Sequence, residues 1–227
     1  MKSHAKKIII IILSIVFLPG TSGESPQAKQ ETATSGASLQ NGSMDADQLS
    51  QQGQDYLGQG RYAEALTPLQ QAIVLNPNEP ENYYFQGLAL GGIGRHQEKY
   101  NALEKTIRLD PKHVGAQFRL ALAQAAMNRH QQAVEHYKIA LSLEPGLEQG
   151  HYYIALSYFL TNRFREAVSS LKTHLERYPD HAEASYTLGL ALIQLGQYKQ
   201  SITPLKKALK INPELAKEES YLAKAAP

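Results

Sequence analysis

Few side chains in this sequence could do chemistry, and those few are poorly placed for it. The 227-residue chain carries eight histidines and no cysteine, which excludes disulfides, thiolate metal sites and cysteine nucleophiles. His130 and His136 stand six positions apart, about 240° around a helix, and cannot close on one metal ion. There is no HExxH, no GxSxG and no glycine-rich phosphate loop, so no catalytic, metal or cofactor residue is assigned and the chain reads as non-catalytic. What does recur at a fixed spacing is apolar. Tyr84, Phe118, Tyr152 and Tyr186 are each 34 residues apart, and so are Leu88, Leu122, Leu156 and Leu190. The chemistry open to such a stripe is the burial of another polypeptide's apolar face.

The same interval governs the elements that must position these residues. Pro77, Pro111, Pro145, Pro179 and Pro213 repeat at 34, the signature of a repeat architecture. Seventeen residues before each proline stand Gly60, Gly94, Asn128, Asn162 and Gly196, residue types that enter the left-handed conformation at a helix end. Each row therefore holds a helix, a stop, a second helix and a proline that forbids continuation. Small residues mark where paired helices touch: Gly53, Gly87, Ala121, Ala155 and Gly189 on the first helix, Ala65, Ala133, Ala167 and Ser201 on the second. Leu69, Leu103, Tyr137, Leu171 and Leu205, with Leu75, Leu109 and Leu143, are expected to fill the space between. Lys99 and His174 break small-residue columns; Lys99 is expected to lead its ammonium out to water past a loosely packed second row. Pro68 and Pro204 are expected to kink the second helices that contain them.

These features, carried most fully by "GQGRYAEALTPLQQAIVLNP" (58–77) and "QLGQYKQSITPLKKALKINP" (194–213), resemble the tetratricopeptide repeat (TPR), a 34-residue helix–turn–helix unit. The resemblance implies an all-α, right-handed α-α superhelix, or solenoid, of five units at 46–79, 80–113, 114–147, 148–181 and 182–215. Residues 216–227, with Tyr221 and Leu222, are expected to form a capping helix. Ankyrin and pentatricopeptide arrays fit worse, their periods being 33 and 35.

In the family that this sequence resembles, first helices line a concave groove where ligands bind. One column facing it holds Tyr84, Phe118, Tyr152 and Tyr186, and the next, one turn on, holds Leu88, Leu122, Leu156 and Leu190. Phe159 continues the stripe in the fourth unit, and Arg119 is the one cation expected at its edge. These ten residues are the candidate partner-binding set, the partner being an extended peptide or an amphipathic helix. The lysines and asparagines by which chaperone-binding members clamp a C-terminal carboxylate are replaced here by aromatics and leucines.

The ends of the sequence concern location. Lys2, Lys6 and Lys7 precede the unbroken apolar run 8–18, "IIIIILSIVFL", and small residues follow in "PGTSG". That is the order of a secretory signal peptide, 1–23. Eleven residues are too few to span a bilayer as a helix, which needs about 20, so the run is read as cleaved rather than as an anchor. Its loss takes the net charge from +2 to −1, leaving no cationic field for nucleic acid. Residues 24–45, with one Leu and no aromatic, are expected to be a disordered linker. The reading is an exported, periplasmic or extracellular scaffold that binds a protein of the cell envelope and uses no cofactor. Alternatives are an accessory or regulatory subunit of an envelope enzyme or biogenesis complex, or a homo-oligomeric platform.

Overall fold

The computed structural model describes residues 44–147 and 149–218. Ten α-helices follow one another: α1 (Ala46–Gly58), α2 (Tyr62–Leu75), α3 (Pro80–Gly92), α4 (His96–Leu109), α5 (Val114–Ala126), α6 (His130–Leu143), α7 (Gly150–Leu160), α8 (Phe164–Arg177), α9 (Ala182–Gln194) and α10 (Tyr198–Ile211), with a 3₁₀ turn at Pro213–Glu218. No strand occurs among the described residues. Each helix packs on its chain neighbours, while alternate helices such as α5 and α7 touch only marginally. That is a stack of helix pairs, a solenoid in which each pair meets only the next.

Local chemistry sets the joints. Gly60, Gly94 and Gly196 have φ of 72°, 77° and 72°, and Asn128 and Asn162 have φ of 59° and 64°. All five helix-to-helix stops thus use the left-handed conformation, which glycine enters without strain and asparagine at small cost. Every second helix begins at the residue expected from the column of aromatics and histidines: Tyr62, His96, His130, Phe164 and Tyr198. In three pairs the arginine before that residue bonds the glutamate three positions on: Arg61 to Glu64, Arg95 to Glu98 and Arg163 to Glu166. These exposed pairs fix the turn more than they stabilise it, such ion pairs being worth about 0–1 kcal/mol.

The contact columns are closed. Leu69, Leu103, Tyr137, Leu171 and Leu205 are buried, as are Ala65, Ala133, Ala167 and Ser201 opposite the small residues of the first helices. Leu75 and Leu143 differ from expectation. They are 58% and 38% exposed, because each ends its helix on the outer side, past the last residue that faces a neighbour. The helices continue through Pro68 and Pro204. α7 starts two residues later in its unit than the other first helices do in theirs, after Gln149 in the left-handed region at φ 59°. The expected signal peptide, 1–23, and residues 24–43 of the expected linker lie outside the described residues, as do 219–227 of the expected cap; its first residues, 216–218, belong to the 3₁₀ turn.

The core is uneven along the stack. One continuous apolar cluster runs from Ala121 to Leu215 and includes Tyr137, Tyr153, Phe159, Leu190 and Leu205. The first units hold two smaller clusters, one around Leu69 and Ala89, the other around Leu103, Ala116 and Leu120.

Candidate functional site

The first helices place the predicted residues along one wall, but not in one condition. In α3 and α5, Tyr84, Leu88, Phe118 and Leu122 are half-buried and Arg119 is exposed. In α7 and α9, Tyr152, Leu156, Phe159, Tyr186 and Leu190 are no more than 2% exposed. The expectation of one open trough across units two to five is therefore corrected. The accessible part of the wall lies on α3 and α5, and the part on α7 and α9 is closed.

On the open part, Tyr84 is held on three sides. Its ring lies 4.5 Å from the His113 ring, its hydroxyl accepts a hydrogen bond from Arg119 Nε at 3.0 Å, and it rests over Gly115. A Cβ at Gly115 would come within 2.7 Å of the tyrosine hydroxyl oxygen, so a larger residue there would push the tip of the ring aside. His113 Nε2 stands 3.3 Å from Glu81 Oε2, and its Nδ1 accepts the Ala116 backbone N–H at the start of α5. Phe118 leans the other way, 5.6 Å from Tyr137 and 5.8 Å from Tyr153. Its ring is thus partly core, as is Leu122, which packs against the same cluster, and Leu88 supplies the freer apolar surface.

Electrostatics add a residue that sequence reasoning placed elsewhere. Lys99, assigned to the packing column between α3 and α4, lays its stem on Gly91 of the inner-wall face. The Lys99 Cδ would lie 3.1 Å from a Cβ built there. Burial, and then the charge of Arg119, hold the Lys99 amine below its usual value. Arg119 is therefore not the only cation on this wall. Among the described residues neither Lys99 nor Arg119 has a carboxylate within ion-pair distance. Two like charges that disfavour each other, beside an apolar strip, suit an incoming carboxylate. The signal available in the sequence was the departure itself: a lysine where four other units hold Ala or Ser.

The closed part contains a buried polar seam. His174 Nε2 and His181 Nδ1 are 2.7 Å apart, with the Tyr152 ring 5.5 Å and 4.5 Å from their rings. Burial, with His181 nearby, pushes His174 down to about 4, and burial pushes Tyr153 up to about 12. Among the described residues no group of three or more His, Asp or Glu is placed to hold a metal ion. None of the described helices is long and apolar enough to cross a membrane.

Helices paired at a 34-residue interval and stacked neighbour on neighbour define an α-helical repeat solenoid. The comparisons say which kind. A tetratricopeptide repeat model matches residues 50–98 and 101–148, and a model of anaphase-promoting complex, cyclosome, subunit 3 matches 136–208. The chain belongs to the tetratricopeptide repeat proteins. In sequence, no curated relative matches it. Among solved structures it resembles YrrB, described as a TPR protein with an unusual peptide-binding site, at 20% identity and TM-score 0.72, over 80% of this chain and 93% of that one. It also resembles MamA at 21% identity and TM-score 0.67, over 80% and 98%. MamA residues 41 to the end from Desulfovibrio magneticus RS-1 match at 20% identity and TM-score 0.67, over 74% and 96%. At such identities the likeness concerns the fold.

Proposed function

We propose that this chain is a non-catalytic interaction scaffold of the cell envelope that docks a polypeptide segment on the inner wall of α3 and α5. Leu88 and Leu122 take the apolar side chains of the segment, Tyr84 and Phe118 frame them, and Lys99 and Arg119 receive an acidic side chain. One observation carries this reading: half-buried apolar residues lie beside two cations that lack a carboxylate partner among the described residues. YrrB, of the same fold, is described as having a peptide-binding site, which supports a polypeptide as the ligand. The basic, apolar and small-residue order of 1–23 supports export.

Partner capture from envelope extract tests it, comparing the natural chain with Leu88→Ser/Leu122→Ser and with Arg119→Gln. The expected result is loss of the retained protein in the double variant and weakened retention in Arg119→Gln. Retention of the same proteins by a folded double variant overturns the reading. If the chain instead elutes as a defined oligomer and retrieves only itself, the platform alternative takes its place. N-terminal sequencing of the mature protein should begin near Glu24, and an intact Met1 in a membrane fraction would refute cleavage.

A further inference from the structure

A cavity of about 640 Å³ opens between the first two units, within the roughly 300–1,000 Å³ range of ligand sites. Gln70 and Gln71 of α2 line it, with Tyr83 and Gln86 of α3 and with Asn101, Ala102 and Lys105 of α4. At about 100° per residue, Tyr83 and Gln86 leave α3 more than 100° away from the mean direction of Tyr84 and Leu88. The cavity is therefore not part of the inner wall. The next joint is bridged where this one is open. One period on from Tyr83 and Ala102 stand Gln117 of α5 and His136 of α6, whose Oε1 and Nδ1 are 2.7 Å apart. Ala102 has no side chain long enough to make the equivalent bridge.

Side-chain amides dominate this groove. Gln86 Nε2 donates to Gln70 Oε1 at 2.8 Å, which fixes both side chains and leaves the Gln70 N–H groups and the Gln86 carbonyl to a ligand. Asn101 accepts from Gln97 through Oδ1 at 3.1 Å and keeps its own N–H groups. A primary amide offers donor and acceptor side by side, the same pair that a main chain presents at almost every residue. Tyr83 is committed elsewhere: its hydroxyl donates to the Pro77 carbonyl at 3.0 Å, and Lys105 Nζ lies over its ring at 5.4 Å. Charge along the groove is uneven. Arg95 and Glu98 satisfy each other at one end, whereas Lys105 has no carboxylate within ion-pair distance among the described residues. From Glu98 to Lys105 is about 10 Å along α4, the length of about three extended residues.

We propose that the groove between α2 and α4 is a second binding site, for a short extended polypeptide segment. Its main chain pairs with the amides of Gln70, Gln71 and Gln86, and an acidic side chain meets Lys105. The chemistry differs from that of the inner wall, because recognition falls on peptide groups and one carboxylate rather than on buried apolar side chains.

Nuclear magnetic resonance of the full chain tests this with the peptide acetyl-Ala-Ala-Asp-Ala-amide, whose only handles are its main chain and one carboxylate. The side-chain amide signals of Gln70, Gln71, Gln86 and Asn101 are expected to shift together and to saturate. Replacing the peptide's aspartate by asparagine should weaken binding about threefold to fivefold, and Lys105→Gln should do the same. Methylating the peptide's main-chain nitrogens should weaken it about tenfold. Ala102→His, which gives the first joint the residue of the second, should abolish the shifts. Gln71→Ala, at an exposed position, should weaken them in a chain whose backbone spectrum is otherwise unchanged. Amide signals that the peptide leaves unmoved overturn the proposal, and so does an affinity that neither Lys105→Gln nor main-chain methylation alters. If maltotriose moves these signals and the peptide does not, the site belongs to a glycan and the proposal also fails. Binding on α3 and α5 is read from signals around Lys99 and Arg119 instead, so the failure of either site is seen separately from that of the other.

Discussion

Arg119 donates a hydrogen bond from Nε to the hydroxyl of Tyr84 across the seam between the second and third units, at 3.0 Å. The bond ties Arg119, an exposed cation of the inner wall, to an aromatic ring of the preceding unit, so the charge is presented at a fixed place. Tyr84→Phe should leave the fold nearly unchanged, since a single exposed hydrogen bond contributes about 0.5–1.5 kcal/mol. It should weaken the binding of acidic peptides by roughly threefold to tenfold, because the guanidinium then samples other rotamers. Fluorescence anisotropy with a labelled acidic peptide at two salt concentrations measures this, and an unchanged affinity argues against Arg119 as the anchor.

Lys99 carries a cost that the other units avoid. Its amine is held below the usual value by burial and by Arg119, so the folded state disfavours the charge at every pH below the folded value. The penalty is complete at neutral pH and disappears only as pH rises past the unfolded value of about 10.4. Lys99→Ala restores the residue found in three of the other four units and should raise the melting temperature by about 1–4 °C. The same substitution should weaken acidic-peptide binding. A stabilised variant with unaltered binding would remove Lys99 from the site.

The His174–His181 seam makes stability depend on pH. His174 has its folded value lowered from 6.5 to about 4, with burial the main cause and the charges of His181 and His151 adding to it. His181 is lowered as well, against the opposing charge of Glu183. The neutral forms fit the fold, so stability is full above about pH 6.5 and is lost as pH falls towards 4, where the unfolded chain binds more protons. Melting curves between pH 7 and 4 should fall more steeply for the natural chain than for His174→Ala, which places at this column the alanine that three other units have. Parallel slopes would refute the assignment.

Glycines in one column should respond differently to a methyl group. A Cβ at Gly53 or Gly189 would lie 2.5 Å or 2.4 Å from Cγ of Leu69 or Leu205, whereas at Gly87 the nearest atom, on Leu103, is 3.3 Å away. Gly53→Ala and Gly189→Ala should each destabilise by about 1–3 kcal/mol through overpacking, and Gly87→Ala should be close to neutral. Denaturant titration of the three variants distinguishes them.

Gln149 precedes α7 in the left-handed region at φ 59° without a side-chain hydrogen bond to the helix. Gln149→Gly should relieve this strain and stabilise by about 0.5–1 kcal/mol, a gain that calorimetry can detect.

Much of this architecture was legible because it is written five times. The stops at Gly60, Gly94, Asn128, Asn162 and Gly196, and the helix starts at Tyr62, His96, His130, Phe164 and Tyr198, follow from a period that a single unit could not have revealed. What escaped the sequence depends on position along the stack rather than position within a unit. Column reasoning treats Leu122 and Leu156 alike, yet one is accessible and the other closed, because the period says nothing about what lies in front of a wall. It likewise saw in Lys99 only a break in a packing column whose ammonium leads to water, and not a neighbour of Gly91 and Arg119, since a long stem that begins in one column can end in another. Leu75 and Leu143 were placed inside because they are apolar, although a helix's last turn can outrun its neighbour.

The unevenness of the core has a consequence for how the molecule comes apart. A continuous cluster joins Ala121 to Leu215, while the first units hold only small separate ones. Loosening should begin at α1 and α2 and travel inward, so that the amino-terminal units fray and rejoin while the carboxy-terminal ones stand. The accessible part of the wall straddles that boundary: Tyr84 packs with one of the small clusters, and Phe118 and Leu122 with the continuous one. A ligand seated on α3 and α5 would therefore act as a clasp, slowing the unzipping of the end from which the array is most readily undone.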